Sequence, residues 1–202
     1  MMIEQIKEIS DQRLEGSARM LARSFQDDPI FQHAMPDKTF RQNCLPDLFM
    51  LNLKYGARFG ELFFIPHQGL AIWLPPGKST ITVIRALQAG MWLTPFKIGL
   101  SAVSRLARLN TVSEKFHEQI APDPHWYLFI LGVDPLCQGR GLGGALLQPG
   151  LARADDDHLP CYLETNNPLA VGFYQKHGFG LIATHQTSHS GLCLWSMRRE
   201  SR

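Results

Sequence analysis

Short β-prone runs alternate along the chain with longer stretches in which apolar residues return at helical intervals. Met2 to Ile9 alternates as a strand does. From Leu14 to Phe25 the residues Leu14, Ala18, Leu21, Ala22 and Phe25 fall on one helical face, with Asp11 placed to cap it. Asp28-Pro29 joins an N-cap residue to a proline at the first helical position. Helical spacing then resumes through Leu48, Leu51 and Tyr55. Leu62 to Ile65 and Gly69 to Leu74 read as two strands joined across His67-Gln68 and ended by Pro75-Pro76. Residues 77–121 are mostly helical in pattern, and Met91, Trp92 and Phe96 within them are expected in the core or in the wall of a substrate pocket.

His125 to Val133, HWYLFILGV, is nearly all apolar, as expected of a central strand covered on both faces. Leu142 to Ala154 reads as a helix that Pro149-Gly150 should kink or break. Cys161 to Glu164 is a short strand, Asn167-Pro168 caps a helix that Gly178 closes, and Phe179 to Thr184 with Leu192 to Met197 form a last strand pair. Elements mixed in this order predict an α/β (α+β) domain, with a central, twisted, mixed sheet flanked by helices.

Composition narrows the function classes. A chain of 202 residues without repeat or Gly/Ser linker is expected to form one domain with a core that needs neither disulfide nor structural metal. Its formal charge of +2, with no basic block, gives no electrostatic footprint for nucleic acid or an acidic membrane. Cys44, Cys137, Cys161 and Cys193 are far apart, with no CxxC pair, and read as reduced thiols. Glu4, Lys7 and Glu8 interrupt the start where a signal peptide needs apolar residues, and Arg85, Gln88, Pro95 and Lys97 interrupt Ile81 to Val103. A cytoplasmic location is the expectation.

The chemistry concentrates after Val133, in Asp134-Pro-Leu-Cys-Gln138-Gly139-Arg140-Gly141-Leu142-Gly143-Gly144. Glycines between a buried strand and a helix start let backbone N–H groups approach a ligand, and the helix N-terminus favours negative charge there. This arrangement predicts a phosphate or pyrophosphate cradle. Gly139, Gly141 and Gly144 also satisfy GxGxxG, the mark of a nicotinamide-dependent oxidoreductase, but the motif starts too far past the strand and too few residues follow for the remaining βα units.

Gln138-Gly-Arg-Gly141-Leu-Gly143 resembles the Q/R-x-x-G-x-G/A motif of the GNAT superfamily of N-acetyltransferases. The resemblance extends to Gly132-Val133-Asp134-Pro135, to Leu163-Glu164-Thr165, and to the run from Asn167 through Phe173-Tyr174 to Gly178-Phe179. It covers roughly residues 126–199, and that half is especially similar to the puromycin N-acetyltransferase group, which Asp27-Asp28-Pro29 and Leu70 to Trp73 also resemble.

The resemblance implies a GNAT domain over 1–202, with its sheet split near Val133, a cofactor-binding core at about 125–199 and acceptor-side elements at about 10–121. Acetyl-CoA is the implied acetyl donor, without a metal, and the implied acceptor is a small-molecule amine attacking directly in a ternary complex. Leu131, Gly132 and Val133 would pair with the pantetheine arm, the backbone of Gln138, Gly139, Arg140, Gly141, Leu142, Gly143 and Gly144 would hold the pyrophosphate, and Asn167 would lie near the pantetheine. Tyr174 would protonate the departing thiolate. Glu164 is the first candidate for general base, ahead of His125, His117 and Glu118, of which the last two are expected on a solvated helix face. Asp27 to Phe31, the Trp73 strand end and the helices between 77 and 121 are the expected acceptor side, and the final strand pair offers an edge for a homodimer. Tyr174 speaks against an acyl-CoA-binding protein without catalysis.

Other motifs fail on their own terms. Gly77-Lys78-Ser79 lacks the upstream glycine of a phosphate loop, His117-Glu118 lacks the second histidine of HExxH, and Asp155-Asp156-Asp157-His158 is expected to be a solvated turn.

Overall fold

The structure is a computed structural model that describes residues 3–6, 10–187 and 190–202. In chain order its elements are β1 (Glu4–Ile6), α1 (Asp11–Ser24), α2 (Pro29–Ala34), α3 (Lys38–Phe59), β2 (Glu61–Ile65), β3 (Gly69–Leu74), α4 (Val83–Gln88), α5 (Thr94–Ile120), β4 (Trp126–Val133), α6 (Leu142–Asp156), β5 (Cys161–Thr165), α7 (Pro168–Lys176), β6 (Gly180–Gln186) and β7 (Cys193–Arg199). Of the strand expected over Met2 to Ile9, only Glu4–Ile6 is seen; Met2 and Lys7 to Ile9 lie outside the described residues. Capping follows the sequence at Asp28 and Asn167, whose side chains accept from the Ile30 and Leu169 amides at 3.0 Å. It departs at α1, where Ser10 is the N-cap and Asp11 is already helical.

The seven strands run in the order β1-β2-β3-β4-β5-β7-β6. Only β4 and β5 pair in parallel, and they do so only at Trp126–Cys161 and Tyr127–Tyr162. Beyond those pairs the two strands part, so β4 keeps β3 on one edge through Val133 while its other edge is left without a strand. A mostly antiparallel sheet is incompatible with the doubly wound dinucleotide fold that GxGxxG would require.

Helices cover both faces. Leu14 to Ala22 of α1, Leu45 to Tyr55 of α3 and Ala102 of α5 pack with Leu62, Leu70 and Ile72 on one side; α6 and α7 pack with Phe63, Ala71 and Trp73 on the other. In β4 the β3 register slips between Ile72–Ile130 and Trp73–Leu128, leaving Phe129 as a bulge. Phe129 and Ile130 therefore face the same cluster in succession, and Leu131 and Val133 turn to the α6 side.

Three expectations are corrected here. Helix α6 runs unbroken through Pro149, and Gly150 beside it lies so close to the Trp73 ring that a Cβ would come within 2.2 Å. Trp73 is thus sealed under α6 by its strand register and is no part of the acceptor side. Trp92, in the short 3-10 turn Met91–Leu93 ahead of α5, is 57% exposed, and Phe96 is 81% exposed because it lies about 160° from buried Ile98 around the first turn of α5, before the chain kinks at Gly99. The aspartate run is exposed at Asp156, Asp157 and His158, as expected of a solvated turn, while half-buried Asp155 takes both Arg199 guanidinium arms at 2.9 and 2.8 Å and Asp157 accepts from the Trp126 indole at 2.8 Å. No helix among the described residues is long and apolar enough to cross a membrane.

Candidate active site

Where β4 leaves β5, the sheet opens into a cavity of about 350 Å³. It is lined by β4 from Tyr127 to Leu131, by Glu164, Thr165 and Asn166 at the end of β5, and by Asp28 just before α2, Phe31 of α2 and Phe49 of α3. Helix α5 contributes Leu106, Leu109, Ser113, Glu114 and His117, and α7 contributes Tyr174. Tyr174 and Glu164, carried by different elements, thereby meet one space.

Glu164 is held from both sides. The Ser113 hydroxyl donates to its Oε2, and the Tyr162 hydroxyl donates to its Oε1 at 2.8 Å. Burial pushes its carboxyl up to about 7, the two donors pull in the opposite direction, and the charge of Glu114 adds to the rise. A carboxyl titrating there is divided between base and acid at neutral pH, which suits proton abstraction from an amine. Asp28 is likewise raised by burial, to about 6, with the Ile30 amide working against the rise. Burial raises the Tyr174 phenol, and the negative charge of Asp28 raises it further, so the hydroxyl keeps its proton until a strong acceptor arrives.

His117 is not on a solvated face. It is buried, lines the cavity, and its Nε2 lies 2.7 Å from His125 Nε2. His125 Nδ1 lies 2.7 Å from the Asp123 carbonyl, which can only accept, so neutral His125 must accept from the His117 Nε2–H. Burial first, then His125, lowers His117 to about 4. The pair is neutral and structural, and His125 does not line the cavity. Glu118 is exposed and also lies off its lining.

The glycine-rich turn begins at Val133 and is closed on itself. Asp134 Oδ1 accepts from the Leu136 amide at 3.0 Å, Asp134 Oδ2 takes the Arg23 Nε–H at 3.0 Å, and Gln138 Nε2 donates back to the Val133 carbonyl at 3.1 Å. Gly139 and Gly141 both have φ of 76°, which other residues adopt only with strain. Gly143 and Gly144 answer instead to close packing, since a Cβ on them would come within 3.1 Å of Phe173 and 2.7 Å of His177. The four glycines thus divide between backbone geometry and packing against α7. Gly141 caps α6 without a side chain, so the amides of its first turn have no intrahelical acceptor. Exposed Arg140 is the guanidinium beside this turn.

Asn167 Oδ1 caps α7, as its Asn-Pro pattern predicts, while its neighbour Asn166 lines the cavity and donates to the Cys193 carbonyl at 2.8 Å. Cys161 is buried and pushed up to about 12, which removes it as a nucleophile. Sequence reasoning missed Ser113 and Tyr162 as partners of Glu164, because no local pattern joins residue 113 to 164.

Residues 104–179 match the acetyltransferase (GNAT) family. A mycothiol acetyltransferase of Thermomonospora curvata is 30% identical over 178 residues, which cover 82% of this chain and 54% of that protein. An uncharacterized N-acetyltransferase of Schizosaccharomyces pombe is 25% identical over 182 residues, covering 86% and 73% respectively. The chain thus spans about half the length of the mycothiol acetyltransferase. Among solved structures, a histone acetyltransferase HPA2 and related acetyltransferase from Corynebacterium glutamicum aligns with a TM-score of 0.68 over 100% of this chain and 98% of that one, at 20% identity. The paiA N-acetyltransferase from Thermoplasma acidophilum, in complex with coenzyme A, aligns with a TM-score of 0.53 over 99% of each chain, at 14% identity. At these identities the likeness to solved structures is one of fold.

Proposed function

Because residues 104–179 match the GNAT acetyltransferase family and the whole chain carries its fold, we propose that this protein moves an acetyl group from acetyl-CoA to a primary amine of a small molecule. The observation that carries the reading is the meeting of Glu164 and Tyr174 in one cavity lined by β4, the strand that runs directly into the glycine-rich turn.

The residues present fit such a donor. The free edge of β4 at Leu131, Gly132 and Val133 offers backbone groups to an amide-bearing arm, as an added strand would. The turn from Gln138 to Gly144 and the unpaired amides opening α6 suit a pyrophosphate, with Arg140 at its side. When bound there, the donor supplies a thioester carbonyl to be attacked.

Glu164 takes the proton of the amine as its nitrogen bonds to the carbonyl carbon. As the carbon–sulfur bond breaks, Tyr174 gives its phenolic proton to the departing thiolate sulfur. Two proton transfers and one exchange of bonds balance, and no acyl-enzyme is required. Ser113 and Tyr162 fix the Glu164 carboxyl. A bound CoA without catalysis would need neither group in the cavity.

In this reading residues 125–199 hold the donor and residues 10–121 the acceptor within one cytoplasmic domain that needs no metal. The resemblance to the puromycin N-acetyltransferase group supports a small acceptor. The outer strand β6, with Leu181 and Ile182 exposed, supports pairing into a homodimer. The test is a thermal-shift titration with CoA and with NAD, followed by CoA release from acetyl-CoA across a panel of amines. Binding to the folded state raises the melting temperature. A rise with CoA and thiol release with an amine is expected; a rise with NAD alone overturns the reading.

A further inference from the structure

We propose that the acceptor carries a second cationic centre joined to its reacting amine by an apolar chain, and that Asp28 holds the group that does not react. The inference rests on the acetyltransferase reading and names the substrate class of the same cavity.

Three carboxyl groups reach the cavity, Asp28, Glu114 and Glu164, and no lysine or arginine joins them among the described lining residues. They come from separate elements: the N-cap of α2, the outer half of α5, and β5. Most of the remaining lining is apolar, with Phe31, Phe49 and Phe129 among it. Elsewhere this protein pairs its enclosed acids with arginine, as Asp134 with Arg23 and Asp155 with Arg199. Asp28 and Glu164 have no such partner among the described residues.

A carboxylate withdrawn from water without a counter-charge is costly, and a ligand cation relieves that cost. The two groups differ in what is left to bind. Both Glu164 oxygens are occupied by hydroxyl donors, which suits a group that exchanges one proton and otherwise stays still. Asp28 spends Oδ1 on the Ile30 amide, and its Oδ2 makes no hydrogen bond among the described residues. Tyr174, 9% exposed, also has a hydroxyl without a hydrogen-bond partner among the described residues, so the cavity presents polar groups that await a ligand. A simple monoamine, once deprotonated by Glu164, leaves Asp28 unanswered. A diamine or an amine bearing a guanidinium answers both carboxyls, and its apolar middle matches the apolar lining.

The experiment is steady-state acetylation of α,ω-diaminoalkanes and of n-alkylamines with the same carbon count, by the wild-type chain and by Asp28→Asn. Asparagine keeps an oxygen that caps α2, so the fold is preserved. Wild type is expected to favour the diamine in kcat/KM by roughly tenfold or more, the weight of one charge-assisted contact. In the variant that ratio is expected to fall toward one, chiefly through KM. Equal kcat/KM for both classes in wild type, or a preference that survives Asp28→Asn, overturns the inference and leaves acetyl transfer standing. Acetylation of neither class also overturns it, and a CoA titration on the same preparation then shows whether the acetyltransferase reading falls with it.

Discussion

Glu164→Gln should make the protein more stable while stopping its chemistry. Burial lifts the Glu164 carboxyl from an ordinary 4.5 up to about 7. The folded state therefore binds a proton between those values that the unfolded chain has already released. Stability falls with rising pH across that window, and above it the accumulated cost is about 3 kcal/mol, at 1.36 kcal/mol per tenfold change in proton affinity. Glutamine cannot ionise, and its amide can still meet the Ser113 and Tyr162 hydroxyls. After allowance for imperfect replacement of those bonds, roughly 1–3 kcal/mol of stabilisation is expected at pH 8, or a few degrees in melting temperature for a chain of this size. Near pH 4 the gain should vanish, since Glu164 is then protonated in both states. Urea unfolding of both proteins at pH 8 and pH 4.5 measures the difference. In parallel, the wild-type rate should rise through an inflection near pH 7 that the variant lacks. A variant less stable than wild type at pH 8, or equally altered at both pH values, would refute the argument that this carboxyl is buried at a cost.

Tyr174→Phe should lower turnover by about 10²–10⁴-fold while leaving the CoA-induced thermal shift in place, as expected for loss of a general acid; an unchanged rate removes the phenol from the reaction. Gly150→Ala should cost about 1–3 kcal/mol in a urea titration, because the new methyl meets the Trp73 ring and the core must shift. Gly141→Ala meets open space but keeps φ at 76°, so it should cost about 1 kcal/mol through backbone strain and weaken CoA binding in isothermal titration; full CoA affinity would show that the turn does not hold the pyrophosphate. Below pH 6.5, native His117, lowered to about 4, refuses a proton that the unfolded chain accepts, so stability should fall from pH 6.5 toward 4, and His117→Gln should flatten that limb.

The elements most legible in the sequence were those whose signal is local. Asp28-Pro29 and Asn167-Pro168 announced their helices because capping involves side chain and amide two residues apart. The β4 run was plain because a strand covered on both faces has almost no polar positions. What escaped depends on contacts distant in sequence. Pro149-Gly150 looks like a break until Trp73, from strand β3, supplies the reason for a glycine there. His117 and Trp92 have the same helical surroundings in sequence, yet one is buried against His125 and the other faces solvent. The site divides in the same way. Its glycine turn is a contiguous motif, whereas the Ser113–Glu164 contact joins α5 to β5 across 51 residues of sequence.

Packing of α6 on α7 has a consequence for how length is measured in the site. Gly143 seats against Phe173 and Gly144 against His177, and Tyr174 lies on the short helix α7 beside Phe173, one turn before its cap at His177. The phosphate-facing turn and the phenol are therefore parts of one stiff bracket, with no flexible segment to absorb error between them. A bulkier residue at either glycine would displace the acid relative to the anchor, so a ligand could still be gripped by its charged end while its reactive end sat out of register. Damage at these two positions should register as lost turnover before lost occupancy, although neither glycine touches the reacting atoms.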